Sequence, residues 1–181
     1  MIFSLDEMGA MILPDLLRPG LLVVFCGTAA GRVSKERRAY YAGPGNRFWP
    51  SLHEAGLTPR RFAPEDYPDL LTQGIGLTDI CKTGFGNDVE IAMTAEDRAR
   101  LIGEIARVAP RLLAFTSKAA AAAALACRTR DLAYGLQDAA WGGTKLFVLP
   151  SPSGSARVFW MIEPWMELGR RVAALRGTSP S

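Results

Sequence analysis

The chain has a single histidine, His53, and only three cysteines, Cys26, Cys81 and Cys127, widely spaced and without a C-x-x-C pair. Neither a zinc site nor a disulfide framework can be assembled from these residues, so no metal or cofactor is expected and a reducing cytoplasm is the expected compartment. Charge of one sign is also scarce, since 21 Lys and Arg against 18 Asp and Glu leave +3. That balance permits a nucleic-acid partner without arguing for one, and the placement of the positive charge matters more than its sum. Long apolar runs are missing. No segment is long and apolar enough to suggest a membrane span. Residues 1–17 are broken by Asp6, Glu7, Pro14 and Asp15 and lack the basic start and unbroken apolar run of a signal peptide. What remains is 181 residues, 49% of them hydrophobic. That is enough for one well-buried core, so one domain over residues 1–181 is expected, with 1–19 as an N-terminal extension and 177–181 as a frayed tail.

The most informative stretch runs from Val23 to Trp49, VVFCGTAAGRVSKERRAYYAGPGNRFW. The continuously apolar run Leu21–Cys26 reads as a strand covered on both faces, and Gly27 breaks it where the backbone must turn. The loop that follows is expected at the carboxyl end of the strand, the usual ligand edge of an open α/β sheet. It carries Arg32, Lys35, Arg37, Arg38, Tyr40 and Tyr41, then a Gly43-Pro44-Gly45 turn before Asn46 opens a helix over Asn46–Ala55. A basic and aromatic loop suits an anionic, flat ligand. Four basic residues also suit a solvated face, and the two tyrosines also suit a core.

Further along, the spacing predicts a short helix and turn before Pro19, and helices over Pro64–Gln73, Ala95–Val108, Ser117–Cys127 and Glu163–Arg176. Strands are predicted at Ile75–Thr78, Leu112–Phe115 and Lys145–Leu149, and loops over Cys81–Thr94 and Pro150–Arg157. Alternation of this kind implies a three-layer α/β/α fold around a mostly parallel sheet of four strands. The Gly27 loop, Asp79 and the loop after Pro150 then meet on one edge.

With GTAAG at Gly27–Gly31, GPGNRFW at Gly43–Trp49, GIGLTD at Gly74–Asp79 and LPSPSGSAR at Leu149–Arg157, the chain resembles the uracil-DNA glycosylase superfamily. It is most similar to the branch acting on mismatched uracil and thymine. The resemblance spans Leu21 to the last helix and implies base excision from DNA after the target nucleotide is turned out of the duplex. One departure is serious. The branch places an Asn in the first motif to orient the attacking water, and here that position is Ala29, with Ala30 in place of a Pro. A methyl group cannot orient water.

Two residues are candidates for the vacated role. Asp79 stands where the classical uracil-specific branch carries an Asn that reads the base edge; its structural alternative is a helix cap or a partner for Lys82. Asn46 stands before Phe-Trp, as in relatives that lack the first-motif Asn; its alternative is the cap of its own helix. Cleavage builds positive charge on the sugar and negative charge on the base, so a carboxylate would serve the first and backbone N–H groups near Thr28 and Ala29 the second. The resemblance puts Tyr41 against the extruded base, with Phe48 and Ser151 also in the substrate-binding set. DNA contacts would come from Ser153, Gly154, Ser155, Ala156, Arg157 and Lys118, with Arg157 as the plug for the gap left in the duplex. The histidine that the classical branch carries before this loop is Leu149 here, and no lysine nucleophile is evident, so no lyase step is expected. A monomer acting on DNA is the expectation. A damage-binding module without catalysis, or a binder of free nucleotides, are the alternatives that the residues leave open.

Overall fold

The computed structural model describes residues 11–87 and 90–178. The elements are β1 (Val23–Gly27), α1 (Arg32–Arg37), α2 (Phe48–Glu54), a 3-10 helix (Pro64–Gln73), β2 (Ile75–Asp79), α3 (Ala95–Val108), β3 (Leu112–Phe115) and α4 (Lys118–Leu125). A 3-10 turn (Thr129–Asp131), β4 (Gly135–Trp141), β5 (Thr144–Val148), a 3-10 segment (Gly154–Phe159) and α5 (Glu163–Gly177) complete the chain. The strands form one sheet in the order β2-β1-β3-β5-β4. Four are parallel, and β4 runs antiparallel to β5 at the edge. The sheet therefore has five strands rather than the four expected. β4 escaped notice because its residues are mostly exposed and its pairing is irregular between Leu136 and Ala140, so it shows no apolar alternation.

Period-two alternation along the central strands sorts side chains into two cores. Val23 and Phe25 face one layer, with Leu52 of α2 and Trp165, Leu168 and Val172 of α5. Val24 and Cys26 face the other, with Leu101, Ile105 and Val108 of α3 and Ala120, Ala121 and Ala124 of α4. The alanine-rich helix is buried as expected, because methyl side chains let it lie close to the sheet. Its Ser117 caps it by accepting from the Ala120 N–H.

Three local departures follow from side-chain chemistry. Residues 32–37 form a short helix where a loop was expected; only Ser34 is buried in it, so no apolar stripe betrays it. Residues 64–73 wind as 3-10 rather than α helix, and Pro68 inside the run removes a backbone donor. The short helix expected before Pro19 is absent from residues 11–19, where Leu16 instead makes an antiparallel bridge to Leu77. Residues 1–10 of the N-terminal extension and 179–181 of the expected tail lie outside the described residues.

Helices α2 and α5 approach so closely that a Cβ on Gly169 would lie 2.0 Å from the Ala55 carbonyl oxygen. Backbone, not a flexible side chain, stands in the way. Gly169→Ala is therefore expected to lower stability by about 2 kcal/mol, read as a shift in the denaturation midpoint without a change in m-value.

Candidate active site

The parallel register pairs Gly27, the last residue of β1, with Asp79, the last residue of β2. Pairing continues past the strand ends, as Ile80 and Cys81 donate N–H groups to the carbonyls of Gly27 and Thr28. A Cβ on Gly27 would sit 2.7 Å from Asp79 Oδ1, 3.3 Å from the Tyr41 hydroxyl and 3.6 Å from Thr116 Oγ1. Three polar groups from three segments thus converge over a residue that has no side chain.

Asp79 is buried at 4% exposure. Its carboxyl is pushed up from 3.8 to about 6, chiefly because burial penalises the charged form; Lys82 and Arg100 oppose that shift and Asp15 adds to it. Among the described residues no ion pair reaches the Asp79 carboxylate, and Lys82 pairs with Asp15 instead. A carboxyl that ionises near pH 6 is anionic at neutral pH while remaining shielded from bulk water.

Tyr41 has φ 53, the left-handed region that a bulky residue rarely adopts. Two contacts hold its ring there. It stacks on Phe48 with centroids 3.9 Å apart and planes 16° from parallel, and its hydroxyl lies 3.3 Å from Thr116 Oγ1. Burial pushes the phenol well above its ordinary range, so it remains a protonated hydroxyl. Tyr40, by contrast, is core, with its hydroxyl donating to the Pro14 carbonyl.

Asn46 turns its side-chain oxygen to the Phe48 N–H at 2.9 Å, a local turn at the start of α2. It also lines an open cavity of about 280 Å³ with Tyr41, Trp49, Arg37 and Arg61. The GPGN turn and the Pro-Ser loop touch directly. Arg47 N–H donates to the Pro152 carbonyl at 2.8 Å, and a Cβ on Gly154 would lie 2.9 Å from the Pro44 carbonyl oxygen. Trp165 Nε1 donates to the Pro150 carbonyl and anchors the loop from the core side.

Within that loop the hydroxyls are partly spent on local turns, as Ser151 Oγ accepts from the Ser153 N–H and Ser153 Oγ lies 2.9 Å from Ser155 Oγ. Arg157 is exposed, Ala156 half-buried. Beyond it stand Val158 at 83% and Phe159 at 75% exposure, two apolar side chains turned to solvent. Arg157 is the plug expected from the sequence; these two apolar side chains stand exposed directly after it. Thr116, at the end of β3, was also missed, although its position just past a strand on the ligand edge was the available signal.

Lys118 begins α4 and lies over the Tyr134 ring at 4.7 Å. Thr28 is buried and Ala29 half-buried at the start of the loop. Of the basic residues after Gly27, Arg32 pairs with Glu90 at 2.9 Å, Lys35 lies 3.6 Å from the Phe85 ring centroid, and Arg37 pairs with Glu65. Such exposed contacts contribute little to stability. His53 is exposed on α2, with Nδ1 3.3 Å from the Thr58 carbonyl oxygen. Among the described residues no group of three His, Cys, Asp or Glu is placed to hold a metal ion.

A family model described as "Uracil DNA glycosylase superfamily" matches residues 14–169. The chain belongs to that superfamily. Within the uracil DNA glycosylase superfamily, DNA is the partner and release of a base the chemistry. A solution structure from Methanosarcina acetivorans, described as a "putative Uracil DNA glycosylase", matches with a TM-score of 0.61 and 22% identity. The match covers 89% of this chain and 96% of that one. At such identity the likeness concerns the fold, an α/β sheet that is parallel apart from one strand.

Proposed function

We propose that the protein is a monofunctional DNA glycosylase that releases uracil, with Asp79 taking over the task of the amide that Ala29 lacks. The observation that carries this reading is the convergence of Asp79, Tyr41 and Thr116 over Gly27, with the carboxylate outside any ion pair among the described residues. Water adds to C1′ of the deoxyribose as the C1′–N1 bond breaks. The bonding electrons leave with the base as its N1 anion. The ionised Asp79 stabilises the positive sugar and accepts a hydrogen bond from the water, whose proton passes on to solvent.

Backbone amides near Thr28 and Ala29 receive the developing charge on the base. The extruded base is held by Tyr41, whose ring Phe48 supports from behind. Asn46 serves as a turn-forming residue that keeps Phe48 in place. Ser151, Ser153, Gly154 and Ser155 lie along the flanking phosphates, with Lys118 at the edge. Arg157 and Phe159 press into the gap left in the duplex, the apolar ring covering unstacked neighbours. The resemblance to the mismatch branch favours uracil opposite guanine, where a weak pair makes extrusion cheaper.

Ala29 favours one other reading, a protein that binds uracil or abasic DNA without releasing a base. Incubation with a uracil-containing oligonucleotide, followed by separate assay of free uracil and of strand cleavage, distinguishes the two. The glycosylase reading requires free uracil with the backbone intact until alkali is added; tight binding with no uracil freed would contradict it. Phe159→Ala is expected to raise the Kd for a uracil-containing duplex by about tenfold, the equivalent of about 1.4 kcal/mol, and to change single-stranded binding little. Fluorescence anisotropy with the two substrates checks this.

A further inference from the structure

An ionic cluster lies beside the end of β2, with Lys82 buried and Asp15 and Arg100 half-buried. Lys82, at 3% exposure, places Nζ 2.9 Å from Asp15 Oδ1 and donates to the Tyr40 hydroxyl at 2.9 Å. Arg100 reaches Asp15 Oδ2 at 2.9 Å from one nitrogen, and its other terminal nitrogen donates to the backbone carbonyls of Asp79 and Ile80. Thr78 adds a hydroxyl to Asp15 at 2.7 Å.

The charge count is uneven. Two cations contact one carboxylate, and the Nε of Arg100 is buried without a hydrogen-bond partner among the described residues. A surplus of positive charge in a half-buried cluster favours the charged form of an acid close by. Asp79 is that acid, with its own backbone carbonyl in the grip of Arg100. The groups that bear on its carboxyl are Lys82 and Arg100, which favour the anion, and Asp15, which opposes it. Tyr40, Tyr41 and Cys26 stay neutral, since burial raises all three, and Thr116 contributes a hydroxyl.

We propose that Lys82 and Arg100 are positioning residues for Asp79: their shared excess charge, neutralised only once by Asp15, keeps the reacting carboxylate ionised at neutral pH. This rests on Asp79 being the reacting group. Burial favours a protonated acid, which can neither stabilise a cation nor accept from water. The cluster opposes that shift without occupying the cleft.

The test is a pair of charge substitutions read by two methods, the pH profile of single-turnover uracil release and the ¹³C NMR titration of the Asp79 carboxyl. Lys82→Met is expected to move both midpoints up by about one pH unit or more, the size of a unit charge at short range in a partly screened interior. Activity then falls about fivefold at pH 6 and returns at pH 8.5. Lys82→Arg restores the wild-type midpoint. Asp15→Asn removes the opposing charge and is expected to move both midpoints down, a change of sign that loosened packing would not produce. Unmoved midpoints, with activity lost equally at every pH, would overturn the proposal. If the wild type frees no uracil, the glycosylase reading fails by itself, and the carboxyl titration still decides whether the cluster controls Asp79.

Discussion

Asp79→Asn is expected to slow uracil release by about 10²–10³-fold, the usual loss when one electrostatic stabiliser of a transition state is removed. Binding of uracil-containing DNA should persist, because the base-holding ring and the loop around Arg157 are untouched. Stability should change in the opposite direction. The folded-state pKa of about 6 lies above the ordinary 3.8. Between those values the folded protein therefore holds the proton more tightly than the unfolded chain, and stability falls as pH rises through the window. Above about pH 6 the full cost of the buried charge is present, on the order of 3 kcal/mol. Asn carries no charge, so the variant should be more stable than the wild type at pH 8 and close to it at pH 4. Urea denaturation at the two pH values checks the sign. A protein that becomes more stable as it loses turnover is one in which a costly group is kept for its chemistry.

Gly27→Ala is expected to remove about 10²-fold of turnover while leaving the fold intact. The added methyl would stand 2.7 Å from Asp79 Oδ1 and 3.3 Å from the Tyr41 hydroxyl. Both are ends of side chains and can yield, so the strain is relieved by displacing the reacting groups rather than the strands. The contrast with Gly169→Ala is informative, since there the obstacle is the Ala55 backbone. One substitution should cost activity with little change in the melting midpoint; the other should cost stability. Activity and thermal unfolding measured on both variants would show whether the cleft and the scaffold separate in this way.

The scaffold was legible in the sequence wherever burial imposes a period. The apolar run at β1, the capped helices α3 and α4 and the Gly-bounded ends all read directly, since each is written in hydrophobic spacing and caps. β4 and α1 were not, because each buries almost nothing and so leaves no pattern. At the site, Asp79 was legible as an acid delivered by a strand to the ligand edge. The pairing of Lys82 with Asp15, the hydroxyl of Thr116 and the left-handed backbone of Tyr41 depend on how separate segments pack. Val158 and Phe159 carry no such signal in the sequence, and the 3-10 turn over Gly154–Phe159 leaves both facing solvent.

The most direct measurement is the single-turnover rate of uracil release by the wild type and Asp79→Asn, side by side, from pH 4.5 to pH 8.5. The wild-type rate should climb through a midpoint near pH 6, where the buried carboxyl ionises, and then level off. The variant should stay low and flat. A variant that matches the wild type at pH 8 would contradict the assignment of the carboxylate, and with it the claim that a second-strand acid does the work of the missing amide.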